Sequence, residues 1–164
     1  GEAMANSYHY RYGLSQIGLR YMNVYGPRQD YKGAYIAVIM KMLDAIDNNE
    51  SPKIYGDGSE CFDFVSVKDC ASANICAMKS EISNGFYNVG TGVKTSLKQL
   101  AEKLCELAGS KKPITYIENK NHTIVKNRIG CTKKSEKEIN YKFTIPLEEG
   151  LKELIEWRKR EKTI

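Results

Sequence analysis

The sequence predicts an α/β fold with at least some parallel strand pairing. Short β-rich runs alternate along the chain with stretches whose apolar residues fall at helical spacing. The clearest helical stretch carries its own start and stop signals. A chain of 164 residues, 41% hydrophobic and 27% charged, is long enough to bury one core.

Residues 3–12 read as a helix that Gly13 ends. Residues 17–25, Ile-Gly-Leu-Arg-Tyr-Met-Asn-Val-Tyr, form one strand-like run stopped by Gly26-Pro27. Between 35 and 46, Ile36, Ile39, Met40, Leu43 and Ile46 keep a helical period. A short strand at 53–55 leads into the turn Gly56-Asp57-Gly58, and residues 62–67 alternate as another strand. Small residues after Asp69 point to a closely packed helix up to Met78, and a strand at 86–89 ends at Gly90-Thr91-Gly92. Ser96 and Gln99 then make a capping box, with Leu97, Leu100, Ala101, Leu104 and Leu107 as one apolar stripe closed by Gly109. Residues 114–117 read as a strand and 118–126 as a polar loop. A short helix at 133–139 precedes a final one at 147–159, whose inner face is Leu147, Leu151, Leu154 and Ile155. No repeat, low-complexity stretch or linker divides the chain.

The longest apolar run, residues 35–40, is far too short to cross a bilayer. Gly1-Glu2-Ala3-Met4 has neither the basic flank nor the apolar core of a signal peptide, so a cytoplasmic location is expected. A net charge of +5 helps an acidic ligand approach but is too small and dispersed for nucleic acid. The densest basic cluster, Arg158-Lys159-Arg160 with Lys162, reads as cations placed at a helix C-terminus. The five cysteines include no C-x-x-C pair, and the two histidines lie far apart. That is neither a zinc pattern nor a disulfide framework, so buried thiols and no metal are expected.

Chemistry is scarce. The chain has no G-x-S-x-G, no H-E-x-x-H and no Cys–His pairing, and no catalytic residue is assigned. Gly90-Thr91-Gly92 lacks the third glycine of a dinucleotide fingerprint; it is either a nucleotide contact or a tight turn before a capped helix.

Four segments, in order, resemble signatures of the extended short-chain dehydrogenase/reductase family, the NAD-dependent epimerases and dehydratases of nucleotide sugars. They are residues 19–29 (Leu-Arg-Tyr-Met-Asn-Val-Tyr-Gly-Pro-Arg-Gln), Ala37-Val38-Ile39, Ile54-Tyr55-Gly56-Asp57-Gly58 with Asp63-Phe64-Val65, and Tyr87-Asn88-Val89-Gly90-Thr91-Gly92. The resemblance implies the C-terminal part of an extended Rossmann-type fold: the last parallel strands plus the small substrate-binding subdomain, over residues 1–164. In the family, Gly-Glu commonly follows the catalytic Tyr-x-x-x-Lys motif, so Gly1-Glu2 implies that this motif and the NAD-binding Rossmann half lie upstream.

The implied function is the substrate-binding half of an NAD-dependent nucleotide-sugar epimerase, with UDP-sugar 4-epimerase first and 4,6-dehydratase second. The half alone is expected to be inactive, with surface-polysaccharide precursor metabolism as its setting and a homodimer as the full-length form. The rival is a non-catalytic module that binds nucleotide sugar without turnover. By resemblance, Tyr21 and Met22 line the nicotinamide of NAD, and Asn23 either touches the substrate diphosphate or satisfies a strand end. Ala37 and Val38 match a helix N-terminus near the uridine, where free N–H groups suit an anion or a base edge. Tyr55 either packs on the nucleobase or belongs to the core; Arg28 and Lys41 divide between phosphate contact and solvated surface. Arg20 is structural. Arg128, with Lys126 as its near alternative, matches a late diphosphate-binding arginine and is favoured for its bidentate fork. One departure stands out: Phe62 occupies the position before Asp-Phe-Val where the family usually has a phosphate- or ribose-binding arginine. Either Arg128 or Lys41 compensates, or the nucleotide sits differently.

Overall fold

The computed structural model of the chain describes residues 1–30, 37–118 and 125–163. Helix α1 (Glu2–Tyr12) ends at Gly13 in the left-handed conformation, and is followed by strands β1 (Gln16–Tyr21) and β2 (Asn23–Tyr25). Helix α2 (Val38–Asp47), strand β3 (Lys53–Tyr55) and the short strands β4 (Cys61–Phe62) and β5 (Phe64–Ser66) come next. Ser66 caps helix α3 (Val67–Lys79) by accepting the Lys68 N–H. Strands β6 (Asn84–Val89) and β7 (Thr95–Ser96) precede helix α4 (Leu97–Ala108), which has its full capping box. Strands β8 (Thr115–Ile117) and β9 (Asn127–Arg128) and helices α5 (Lys133–Ile139) and α6 (Leu147–Thr163) complete the described chain.

Parallel pairing dominates. β1 pairs with β6, β2 with β5 and β3 with β8, all parallel, while β4 lies between antiparallel β7 and parallel β9. The single strand expected over 17–25 is therefore two strands with different partners. The Met22 N–H still reaches the Val89 carbonyl at 2.9 Å, whereas the Asn23 N–H donates to the Asp63 carbonyl at 2.9 Å. The chain changes partner between adjacent residues. The strand expected over 62–67 divides in the same way at Asp63, whose N–H donates to the Arg128 carbonyl at 3.0 Å. α3 begins at Val67, ahead of the expected start, because Ser66 supplies the cap. Residues 35–36 of the expected second helix and 119–124 of the expected polar loop lie outside the described residues.

The β2–β5 pair serves two cores. Tyr25 and Phe64 belong to the larger one, with Ile39, Met40, Leu43, Ile54, Leu100, Leu104, Leu151 and Leu154. Their strand neighbours Val24 and Val65 pack in the second, with Cys70, Ala73, Tyr87, Val89, Ile139 and Tyr141. Successive strand residues point to opposite faces, so two three-residue strands can hold both cores together. Gly150 lets α6 lie against Tyr25: a Cβ there would stand 2.2 Å from the tyrosine oxygen. A helical glycine costs about 1 kcal/mol relative to alanine, a penalty this contact offsets.

Arg158 corrects one expectation. Rather than a cation placed at the helix C-terminus, it is 3% exposed, five residues before the end of α6; it donates to Asp47 at 2.6 Å and also to Asp44, tying α6 to α2. The reason is helical phase, since residue 158 falls seven positions after Leu151 and four after Leu154, on the buried stripe. Burial opposes its charge, yet the hydrogen bonds to Asp47 and Asp44 raise its pKa above the ordinary value. Arg20 forms a two-point pair with Glu2 of α1, at 2.5 Å through Nε.

Candidate functional site

The strand switch at Met22 organises the candidate site. β1 delivers Tyr21 and Met22 at its C-terminal end, and its partner β6 delivers Gly90-Thr91-Gly92 beside them. β2 starts there with Asn23, paired to β5. In α/β sheets, ligands gather at the carboxyl ends of strands where strand order changes.

Asp63 holds this corner together. It is fully buried, and its Oδ1 accepts the Thr91 N–H at 2.8 Å and the Thr91 hydroxyl at 2.7 Å. Its Oδ2 accepts the Gly92 N–H at 3.0 Å and the Gly130 N–H at 3.3 Å. Its carbonyl also accepts from the Asn23 side-chain amide at 3.2 Å. Burying a carboxylate is tolerable only with such a set of donors. A Cβ at Gly90 would meet Asp63 Oδ2 at 2.4 Å and Met22 Cγ at 2.7 Å, so the close approach requires glycine. The Thr91 and Gly92 N–H groups, which a phosphate would need, already point at Asp63. Gly90-Thr91-Gly92 is accordingly a tight turn around an internal anion.

In the sequence, Asp63 stands out only through its place in a signature segment. An aspartate between two strand residues was the only local signal of it.

The other named residues fall into groups. Met22 is half-buried, and its thioether packs on Gly90 and Gly130. Asn23 commits one amide N–H to Asp63. Arg128 is exposed on β9, directly opposite Phe62 of β4 in the parallel register, with its guanidinium carbon 5.9 Å from the Phe62 ring centre. Met22, Asn23, Phe62, Asp63 and Arg128 are thus brought together by one set of strand contacts.

Tyr21 stands apart. It is 41% exposed, and its hydroxyl accepts from Asn74 of α3 at 2.7 Å in a cleft of about 570 Å³ between β1 and α3. Arg28, held at φ 68°, lines a cleft of about 390 Å³ with Tyr25 and Val67. Ala37 is the N-cap of α2 and Val38 its first residue, with no side-chain cap on the helix. Tyr55 is 60% exposed at the end of β3 and shares a separate cleft of about 260 Å³ with Lys41 and Lys53. Among the described residues these clefts are distinct. Lys126 serves Asp57: hydrogen bonds from Ser59 hold that carboxyl below its usual range, and the Lys126 charge adds to the effect.

Among the described residues no helix is long and apolar enough to cross a membrane, and no group of three or more acidic, histidine or cysteine side chains could hold a metal ion.

This geometry has relatives. The chain is 36% identical over 159 residues to a protein of Methanocaldococcus jannaschii described as a putative UDP-glucose 4-epimerase, covering 97% of this chain and 50% of that one. Its fold is similar to the crystal structure of UDP-glucose 4-epimerase with UDP-glucose from Thermotoga maritima, with TM-score 0.91, 33% identity, and coverage of 98% of this chain and 51% of that chain. It is equally similar to UDP-N-acetylglucosamine 4-epimerase from Methanobrevibacter ruminantium in complex with UDP-N-acetylmuramic acid, with TM-score 0.91, 36% identity, and coverage of 98% and 51%. The chain spans about half the length of the relatives it matches. The profile of the NAD dependent epimerase/dehydratase family matches residues 1–90, more than half of the 164, and the chain belongs to that family.

Proposed function

We propose that the protein carrying this chain is an NAD-dependent UDP-sugar 4-epimerase, and that residues 1–164 form its substrate-binding portion. The NAD-binding half is then the part its relatives have beyond the matched region. The observation that carries this reading is the lateral row Asn23–Asp63–Arg128. Main-chain hydrogen bonds link the three residues through Asp63, Arg128 is exposed, and no carboxylate among the described residues pairs with its guanidinium.

The residues present fit only an edge of NAD. Tyr21 exposes aromatic surface at the end of β1, but in the glycine turn beside it the Thr91 and Gly92 N–H groups are committed to Asp63 rather than to a pyrophosphate. When bound, NAD supplies the hydride acceptor for transient oxidation of the sugar. Proton transfer falls to residues outside this chain.

The chain's own work is to hold and orient the nucleotide sugar. Arg128 offers the diphosphate two parallel N–H donors, and Asn23 retains a second amide N–H for it. The uncapped N-terminus of α2, at Ala37 and Val38, offers N–H groups to the uridine. Tyr55 presents an aromatic face to the base, and Arg28 adds a cation. Orientation matters because a small misplacement of the sugar is costly in rate. Helix α1 buries none of its residues and exposes Met4, Tyr8 and Tyr12, a surface available to the rest of the protein or to a second copy.

The test is Arg128→Ala in the full-length protein, with ligand binding followed by calorimetry. The expected result is UDP binding weakened about tenfold or more, the scale of a charge-assisted hydrogen bond, with uridine binding unchanged. UDP and uridine affinities that fall together, or not at all, contradict the assignment.

A further inference from the structure

An arginine on an exposed strand loses rotamer freedom when it grips a ligand, and affinity improves when that freedom is restricted beforehand. The surroundings of Arg128 restrict it in two ways. Its main chain is held, because its carbonyl accepts the Asp63 N–H at 3.0 Å and the nearby Gly130 N–H donates to the Asp63 carboxylate at 3.3 Å. Its side chain has a platform, because Phe62 is its register partner across β4 and β9. The guanidinium carbon lies 5.9 Å from the ring centre, inside the reach of a cation–π contact. The platform is itself supported: the half-buried Phe62 ring contacts the buried Phe64 ring at 6.0 Å between centroids. Adjacent residues of one short segment therefore control both parts of Arg128, Asp63 its backbone and Phe62 its guanidinium.

We propose that Phe62 is a positioning residue that holds the Arg128 guanidinium ready for the diphosphate of a nucleotide sugar. The inference rests on the reading of Arg128 given above. A cation on strand β4 would meet the same ligand directly but would repel Arg128 across the pair. An aromatic ring at that position instead spares the site one desolvated charge and orders the remaining one.

The experiment is a double-mutant cycle in the full-length protein, with UDP and uridine as ligands in calorimetry. The variants are Phe62→Leu, Phe62→Tyr, Arg128→Ala and the Leu/Ala double variant. Phe62→Leu is expected to weaken UDP binding about threefold to fivefold, the scale of an exposed cation–π contact, and to leave uridine unchanged. Phe62→Tyr, which keeps the ring face, is expected to bind UDP as the parent does. In the Arg128→Ala background, Phe62→Leu is expected to add nothing, which a merely structural role would not produce. Should Phe62→Leu fail to fold, Phe62→Met removes the ring while keeping adaptable apolar volume. Equal UDP binding by parent and ring-less variant overturns the proposal, as does a loss that persists undiminished without Arg128. If Arg128→Ala alone leaves UDP binding unchanged, the reading of the site falls and this inference with it.

Discussion

Asp63 combines a buried carboxylate with donors from two separate places in the chain, the Thr91-Gly92 turn and Gly130. Its partners Thr91, Gly92 and Gly130 lie 28, 29 and 67 residues away in sequence. No spacing rule reports contacts of that kind, so the role of Asp63 was invisible in the sequence although its position in a signature segment was plain. Arg128 differs, since a cation is a candidate phosphate contact by residue type alone and needs no partner to be noticed. Replacing Asp63 by alanine leaves the N–H groups of Thr91, Gly92 and Gly130 without their acceptor. Asp63→Ala is expected to lower the unfolding free energy by about 3 kcal/mol or more in urea titrations, and Asp63→Asn by less. A loss under about 1 kcal/mol for the alanine variant would show that the loops hold without it.

Elements specified by local chemistry were read correctly from sequence. The capping box of α4 is made by residues three apart: the Gln99 N–H donates to Ser96 Oγ at 3.1 Å, and the Ser96 N–H donates to Gln99 Oε1 at 2.9 Å. Ser96→Ala is expected to cost about 1 kcal/mol, read as a lower urea midpoint at unchanged slope. No shift would mean that packing of Leu100 and Leu104 alone sets the helix start. Elements defined by their partners were read less well. Residues 17–25 have strand character throughout, and only the competing acceptors Val89 and Asp63 divide them at Met22. The sequence suggests for Arg158 only a cation at a helix C-terminus, while its helical phase and two acceptors on α2 place it inside.

At the scale of the whole molecule, two cores share the β2–β5 pair and bury several groups that must stay neutral. Burial, with the Asp69 charge beside it, pushes the Cys70 thiol from an ordinary 9.0 up to about 11. Burial also lifts the Tyr87 phenol from 10.0 to about 12, assisted by its hydrogen bond to Glu138. Tyr25 and Tyr141 are raised too, chiefly by desolvation. Each folded value lies above the unfolded one, so the stability these groups contribute is complete below the unfolded values. It is lost as pH rises through the folded ones. The urea midpoint of the chain is therefore expected to hold from neutrality to about pH 8.5 and to fall between about pH 9 and 12. A midpoint unchanged at about pH 11 would contradict the burial described for Cys70 and the tyrosines.

The proposed epimerase reading is tested most directly by identifying a product. The full-length protein, loaded with NAD, is incubated with UDP-glucose and separately with UDP-N-acetylglucosamine, and the sugar is read by proton NMR at C4. The expected result is an equilibrium mixture of the sugar and its C4 epimer, with no net consumption of NAD. A 4-keto-6-deoxy product would make the protein a dehydratase, and UDP-sugar binding without any conversion would make it a non-catalytic module; either contradicts the epimerase assignment.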